Sequence, residues 1–349
     1  MATPATHTMK YRYMGNTGLL VSTLSFGVMT FGDKLNGDAA YDMMVKAFQS
    51  GVNYFDNAEV YGMGKSETIM GEIIKKGVEN GVWTREDLVL STKMFFGTKT
   101  NPGPNDQGLS RKHIIEGMKA SLKRAQLDYF DVVFCHRPDS STPIEESVRA
   151  MNFVIEQGWA FYWGTSEWKS GDIIEACEIA DRLGLIRPVV EQPQYNIFER
   201  SRVDFDFVNL YKKYKYGLTT FSPLRYGVIT GKHSQGIAEG SRLNDAATRN
   251  RVKDLDTKIA KTDSLKSVAD DLGCTIAQLA IAWCASNPNV STVMLGASNI
   301  AQLEENLKAN DLIEKMTPEV KARINQIAQY APGHPDYDVW YNHRNTKYL

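Results

Sequence analysis

The sequence lacks an excess of charge of either sign, since 40 basic residues offset 41 acidic ones to give a formal net charge of -1. This balance argues against an electrostatic surface for nucleic acid or for an anionic membrane. Runs of about eighteen apolar residues are also missing, so we expect no membrane-spanning helix and no direct membrane insertion. The first nine residues, MATPATHTM, have no basic cluster and no apolar core, and we expect no signal peptide.

Cysteine is scarce, and the spacings typical of metal sites are absent. The four cysteines form no C-x-x-C pair and lie in apolar or helical stretches, at positions 135, 177, 274 and 284. We expect them to be buried free thiols in a reducing, cytoplasmic compartment. The histidines form no H-E-x-x-H pattern, so a metal site is not expected.

What the sequence does contain is a regular alternation of strand-length apolar runs and helix-length amphipathic stretches. Eight runs are predicted strands, namely 24–26, 53–56, 88–92, 129–135, 160–164, 189–191, 218–222 and 292–295. Eight such units without a linker favour one α/β domain, a (β/α)8 TIM barrel over about 24–308. Two short extended pieces around 16–18 predict an N-terminal β-hairpin over about 11–21 that plugs the bottom of the barrel. A C-terminal helix and tail would occupy about 309–349.

Some local features accompany this pattern. Ser110, Thr142, Ser170 and Thr275 are candidate helix N-caps, and residues 142–145 match a capping box. The polar segment 233–252 is predicted to be a long loop after the seventh strand, and such loops are usually functional or mobile.

Polar side chains follow nearly every predicted strand. Asp56 ends the second strand, with Tyr61 five residues on, while Lys93 and His136 follow the third and fourth. The later strands lead to further polar positions, Ser166, Gln192, Ser222, Gly296 and Ser298. Because the active site of such a barrel lies at the carboxyl ends of its strands, these residues are expected to converge on one rim.

The four residue types together suggest a proton-transfer site. A tyrosine hydroxyl is a poor acid near neutral pH unless its phenolate is stabilised. Lys93 would supply a charge beside Tyr61, and Asp56 would keep Lys93 protonated and in place. His136 would donate a hydrogen bond to a substrate carbonyl oxygen, and in its protonated form would add charge there. Each residue alone has an ordinary structural explanation, such as a helix cap for Asp56, but their combination favours catalysis.

A source of electrons is missing from this set, because no side chain donates a hydride, so a nicotinamide or flavin cofactor is implied. The chain has neither a G-x-G-x-x-G nor a Walker A motif, which disfavours a Rossmann domain. Residues 296–299, GASN, open the last predicted barrel helix, and its free N–H groups would favour a cofactor phosphate.

At these residues the chain closely resembles the aldo-keto reductase superfamily, and within it the voltage-gated potassium channel β-subunit branch and its soluble reductase relatives. The resemblance covers nearly the whole chain. The matching segments are FDNAEVY at 55–61, STK at 91–93, GLSRKHIIEG at 108–117, YWGTS at 162–166, Gln192, FSPL at 221–224 and LGASN at 295–299.

The resemblance implies a catalytic tetrad of Asp56, Tyr61, Lys93 and His136, and NADPH as the cofactor. It places the nicotinamide near Ser166 and Gln192. The implied contacts with the pyrophosphate are Ser222, Pro223, Leu224 and Lys232. Those with the adenosine end are Arg242, Ser298, Gln302, Glu305 and Asn306. Four further residues are implied to contact the cofactor, namely Met29, Asp56, Phe221 and Gly296.

The chain also departs from the channel β-subunits that it resembles. His136 stands where they typically have asparagine, and histidine is the residue of the active reductases. The other departures are Glu167 for arginine, Phe221 and Met29 for tryptophan, and Arg225-Tyr226 for a small residue and cysteine. Their effect on cofactor affinity and pocket shape is left open.

Three functions are compatible with these features. The leading hypothesis is an NADPH-dependent reductase acting on a small aldehyde or ketone. The alternative is a regulatory subunit of a potassium channel that uses bound NADPH as a redox sensor, and the third is an inactive scaffold, which the intact tetrad disfavours. Because few residues precede the first strand, we expect any channel partner to contact the barrel surface. The sequence does not determine the substrate or whether the chain forms a homo-oligomer. It also leaves open whether the aromatic tail 337–348 packs across the rim or on another subunit.

Overall fold

In the computed structural model, which describes residues 9–348, eight parallel strands close a barrel in the order β10-β3-β4-β5-β6-β7-β8-β9. The barrel strands are β3 (Leu24–Gly27), β4 (Tyr54–Asp56), β5 (Val89–Met94), β6 (Phe130–Cys135), β7 (Ala160–Ser166), β8 (Val190–Gln192), β9 (Gly217–Thr220) and β10 (Val290–Leu295). The predicted (β/α)8 barrel is therefore confirmed, and each predicted strand overlaps an observed one.

Helices surround the barrel and complete the βα repeats. They are α1 (Gly37–Gln49), α2 (Lys65–Glu79), α3 (Arg111–Ala125), α4 (Ile144–Glu156), α5 (Ser170–Leu183), α6 (Val208–Tyr214), α7 (Ala246–Asn250), α8 (Leu255–Ser264), α9 (Lys266–Leu272), α10 (Ile276–Ala285), α11 (Ile300–Leu307), α12 (Pro318–Ala328) and α13 (His343–Tyr348). Short 3-10 segments occur at Tyr61–Gly64, Arg85–Asp87, Arg225–Thr230, Arg242–Asn244 and Lys308–Lys315, and a π-helical turn at Ser201–Asp206.

Most residues of the barrel strands are buried, on both faces of the sheet, which explains why apolar residues occur at consecutive positions in them. Every residue of β5, β6 and β10 is buried. Parallel strands covered by helices exclude water from both faces of the sheet, so alternation with polar residues is not required. In register, Lys93 of β5 lies opposite Phe134 of β6, so the residues that follow these strands emerge at the same rim.

The N-terminal hairpin consists of β1 (Tyr11–Tyr13) and β2 (Leu20–Ser22), paired antiparallel as predicted. Met14 and Val21 are fully buried and pack against the barrel interior, in a cluster with Tyr54 and Val89. Gly15 has a φ of +55°, and a Cβ there would lie 2.6 Å from the backbone of β9. The turn needs glycine for this close approach, and the hairpin covers the bottom of the barrel.

Two of the four predicted helix caps are confirmed. Ser110 accepts a hydrogen bond from His113 N–H, and Thr275 forms a capping box with Gln278. The capping predictions for Thr142 and Ser170 are wrong. Their hydroxyls donate to the carboxylates of Asp139 and Asp206 instead, and neither caps a helix.

Other predictions concern loops and cysteines. The segment 233–252 is irregular but contains a 3-10 turn at Arg242–Asn244 and the short helix α7. The cysteines are free, with Cys135, Cys177 and Cys284 buried and Cys274 partly buried.

Within residues 9–348 no single helix is long and apolar enough to cross a membrane, although Leu255–Leu272 and Ile276–Ala285, which meet at 83°, pass that test as a pair.

Candidate active site

A buried ion pair forms the centre of the site. The Lys93 ammonium, which is fully buried, donates to Asp56 Oδ2 and, at 2.7 Å, to the Asn57 carbonyl oxygen. The other oxygen of Asp56 accepts hydrogen bonds from Ser91 Oγ at 2.7 Å and Gln192 Nε2 at 3.2 Å. Because a buried charge is tolerated only when it is paired and hydrogen-bonded, this network fixes the Lys93 side chain in one position beside Asp56.

Tyr61 lies beside this ion pair, at the start of the 3-10 turn that leads into α2. Its hydroxyl is 3.4 Å from Lys93 Nζ, and the ammonium is 5.0 Å from the centre of its ring. Tyr61 is only partly buried, so its hydroxyl can face a ligand at the rim while Lys93 stays below it. The ammonium can therefore stabilise a phenolate without being exposed to water.

His136 follows β6 and faces Tyr61 edge-on, with 6.0 Å between the ring centres. Its backbone N–H donates to the Met94 carbonyl oxygen at 3.0 Å, which fixes the residue against β5. Burial, and then the charges of Arg137 and Lys93, lower the pKa of His136 well below its usual value. This direction favours a neutral ring at pH 7, which acts through its N–H group.

Glu59 and His113 support the site from beneath, and the sequence prediction missed them. Glu59 Oε1 accepts hydrogen bonds from the N–H groups of Phe95 and Gly97 at 2.7 and 2.8 Å, and it lies 3.0 Å from His113 Nε2. Glu59 also belongs to the loop between Asp56 and Tyr61. One buried carboxylate therefore ties the Tyr61 loop to the loop after β5. Both residues lie in the motifs quoted above, but nothing in their spacing, 54 residues, indicates contact.

The C-terminal tail, residues 329–348, crosses the rim and adds aromatic side chains to the site. Phe96 packs edge-on against both His136 and Trp340, with 5.2 Å between ring centres in each case. The tail is held by Arg137, whose guanidinium lies 3.6 Å from the Asp338 carboxylate, and by Ser140, whose N–H donates to the Tyr341 carbonyl oxygen. The tail therefore packs across the rim of its own barrel, which is one of the two arrangements that the sequence left open.

Ser166 and Gln192, the predicted nicotinamide contacts, end the neighbouring strands β7 and β8. Ser166 Oγ donates to the Gln192 carbonyl oxygen at 2.9 Å, and Arg137 donates to Ser166 Oγ at 3.2 Å. Gln192 in turn reaches Asp56, as described above. The structure thus brings both residues to the edge of the tetrad.

The residues predicted to surround the cofactor phosphates form a basic region. Burial, and then the charges of Arg242 and Lys34, lower the pKa of Lys232, which shows that these cations lie close together. A Cβ added to Gly296 would have Arg242 Nη2, at 3.9 Å, as its nearest neighbour, so the start of the loop before α11 is open to a bound group. Clustered cations beside an open glycine are suited to phosphate groups.

The remaining predicted adenosine contacts lie along α11. Ser298 N–H and Oγ both donate to Gln302 Oε1, at 3.1 and 3.0 Å. Glu305 accepts a hydrogen bond from Gln278, and Asn306 is buried. Of these positions, Ser298 lies two residues after Gly296, which neighbours Arg242.

The turn after β9 consists of Phe221, Ser222, Pro223 and Leu224. Ser222, Arg225 and Tyr226 have φ values of +56°, +45° and +56°, a conformation that is strained for side chains other than glycine. Arg225 is buried, and its guanidinium donates to the Arg251 carbonyl oxygen. Arg225 therefore anchors this turn to the segment before α8.

Two other departures from the channel β-subunits have defined places. Glu167 accepts a hydrogen bond from Gln194 N–H at 2.6 Å and lies 3.5 Å from Arg202, so it secures the chain just after β8. Met29, at the opposite side of the rim, is 48% exposed and leaves a large apolar side chain open to a ligand.

No group of three or more His, Cys, Asp or Glu side chains suited to a metal ion occurs among residues 9–348.

Comparison with known proteins agrees with this architecture. A model of the aldo/keto reductase family matches residues 23–329. A probable voltage-gated potassium channel subunit beta of Arabidopsis thaliana is 53% identical over 335 residues, which cover 94% of this chain and 99% of that protein. A probable voltage-gated potassium channel subunit beta of Oryza sativa subsp. japonica is 50% identical, over 93% of this chain and 98% of that protein. A putative voltage-gated potassium channel subunit beta of Schizosaccharomyces pombe is 44% identical, over 95% of this chain and 98% of that protein. The chain belongs to the aldo/keto reductase family.

Proposed function

We propose that this chain reduces aldehydes or ketones to alcohols with NADPH, and that Tyr61 is the proton donor. The observation that carries the proposal is the fully buried Lys93, paired with Asp56, whose ammonium lies 3.4 Å from the Tyr61 hydroxyl. An ammonium this close to the hydroxyl would stabilise the phenolate that remains when the tyrosine donates its proton. Bound NADPH would supply the hydride to the carbonyl carbon.

The chain's own residues orient the carbonyl group and move the proton. The carbonyl oxygen is held between the Tyr61 hydroxyl and the His136 ring, both of which face the rim. Tyr61 donates its proton to that oxygen, and Lys93 stabilises the phenolate that remains. The neutral imidazole donates a hydrogen bond to the oxygen, where negative charge develops during hydride transfer. Phe96 and Trp340 exclude water from this side of the site.

The basic region supports NADPH as the cofactor. Lys232 and Arg242 provide positive charge beside Gly296, and Ser298 adds a hydroxyl at the same place. The 2′-phosphate of NADPH would receive charge-assisted hydrogen bonds from Arg242 and Ser298, and NADH has no such group. Ser166 and Gln192 would hold the nicotinamide amide next to the tetrad.

The test is to follow NADPH absorbance with the purified full chain and a panel of aldehydes and ketones. We expect saturable oxidation of NADPH with at least one class of carbonyl. The proposal is wrong if NADPH binds, as shown by fluorescence titration, but no carbonyl in the panel is reduced faster than in a Lys93→Met variant.

A second candidate function rests on the names of the relatives, which are described as potassium channel β subunits at 44–53% identity. In this function the chain binds a channel through its barrel surface and uses bound NADPH as a redox sensor. Co-expression with a voltage-gated potassium channel tests it, with currents recorded for the wild-type chain and for Tyr61→Phe. Currents that do not depend on the chain would exclude this function without affecting the first.

A further inference from the structure

A polar cavity of about 260 Å³ lies outside the barrel, away from the rim residues described above. Three elements line it: the connection from β8 to α6, the end of α10 with the turn after it, and the middle of α12. None of its lining residues belongs to the tetrad or to the proposed cofactor contacts. The role proposed for the rim therefore leaves this cavity unexplained.

Arg200 lines the cavity and is a buried cation, only 5% exposed. Its Nε donates to the Ile197 carbonyl oxygen at 2.8 Å and its Nη1 to Asn325 Oδ1 at 2.7 Å, while its guanidinium stacks 4.4 Å from the Trp283 ring centre. Its Nη2 has no hydrogen-bond partner. The Asp204 carboxylate favours the charge of Arg200 from a distance, but among residues 9–348 Arg200 forms no direct salt bridge. A buried guanidinium that no anion contacts directly is costly, because its charge has lost hydration.

The other charged groups of the cavity do not balance Arg200. Lys321 is a second lining cation, and its ammonium donates to the Ser286 carbonyl oxygen at 3.2 Å. Asp204 is the one lining carboxylate, and it accepts a hydrogen bond from the Tyr195 hydroxyl at 2.9 Å. Two cations and one carboxylate leave one positive charge in excess. Burial lowers the pKa of both Arg200 and Lys321, because each positive charge has lost hydration. A bound anion would offset this cost.

We propose that this cavity binds a small oxyanion of single charge, a carboxylate or monoanionic phosphate, between Arg200 and Lys321. The planar guanidinium matches the two oxygens of such a group, and the lysine ammonium adds a flexible donor from α12. Asp204 limits the charge that the cavity accepts, because a second negative charge would lie close to its carboxylate. The volume suits a small metabolite and is too small for a dinucleotide.

The test uses isothermal titration calorimetry of the purified full chain at pH 7, with sodium acetate and inorganic phosphate as probes and sodium chloride at equal ionic strength as reference. We expect saturable binding of at least one oxyanion, and the stronger of the two probes identifies the ligand chemistry. Lys321→Met should raise the dissociation constant at least about tenfold, since it removes one of two charged contacts. Arg200→Lys, which keeps the charge but loses the planar fork, should also weaken binding and serves if Lys321→Met does not fold.

The matched control is Lys261→Met, because Lys261 also donates to a backbone carbonyl near α12, that of Ala328, but does not line the cavity. It should bind the probe as the wild type does. Absence of saturable binding beyond the chloride reference would overturn the proposal, as would unchanged affinity in a folded Lys321→Met or Arg200→Lys. Binding that disappears in Arg242→Ala instead would assign the anion to the proposed cofactor phosphate region and would also refute it.

Discussion

Replacing His136 by asparagine separates the two contributions that a histidine can make to carbonyl reduction. Burial and the neighbouring Arg137 and Lys93 charges lower the pKa of His136, so the imidazole is neutral at pH 7 and acts only through its N–H group. Removing one donor to a developing oxyanion typically slows turnover about a hundred- to a thousandfold. Because the asparagine amide keeps a donor on a shorter side chain, we expect a loss of about ten- to a thousandfold, or ~1.4 to 4 kcal/mol of transition-state stabilisation.

The assay is single-turnover oxidation of bound NADPH, so that slow cofactor release does not mask the chemical step. NADPH affinity, measured by fluorescence titration, should change much less than the rate. His334→Asn is the matched control, because that histidine is exposed, packs on the Phe205 ring and has no part in the proposed mechanism. A single-turnover rate equal to the wild type in His136→Asn would remove His136 from the mechanism. A pH–rate profile in which His136 ionises between pH 6 and 8 would contradict the neutral ring.

Three further predictions concern the cofactor, the support beneath the site and the pH dependence of stability. Arg242→Ala should weaken NADPH binding more than NADH binding in fluorescence titrations, and equal losses would count against the 2′-phosphate placement. His113→Asn should lower the free energy of unfolding by about 1.5 to 3 kcal/mol, because Glu59 loses a buried partner. It should also raise KM more than it lowers kcat, and an unchanged KM would show that the Glu59–His113 pair does not position the site. Burial raises the pKa of Glu191 from 4.5 to about 8, so the native state holds this proton more tightly and wild-type stability falls as pH rises from about 4.5 to about 8. Glu191→Gln removes this loss, so its Tm relative to wild type should be higher at pH 8 than at pH 6, and a difference independent of pH would contradict the raised pKa.

The barrel was predictable from the sequence because its strands are buried on both faces. Segments such as 130–135, with five apolar residues of six, therefore stand out in the sequence, and the helical stretches between the strands differ clearly in period. The positions of Asp56, Lys93 and His136 followed from the rule that polar residues after parallel strands meet at one rim.

Features that depend on which side chains meet in space were not predictable. Thr142 looks like a helix cap in the sequence, but Asp139 is a closer partner for its hydroxyl in the fold. The contact between Glu59 and His113 joins residues far apart in the chain, and the neutral state of His136 depends on its burial. In the same way, the excess charge around Arg200 appears only when α10 and α12 are packed together.

The most direct test of the central claim is to measure NADPH binding and single-turnover carbonyl reduction in Tyr61→Phe. This change keeps the aromatic ring beside Lys93 and removes only the hydroxyl that lies 3.4 Å from the ammonium. We expect the dissociation constant for NADPH to stay close to the wild-type value while the rate falls about a hundredfold or more, because the general acid is lost. A Tyr61→Phe variant that reduces carbonyls at nearly the wild-type single-turnover rate would contradict it.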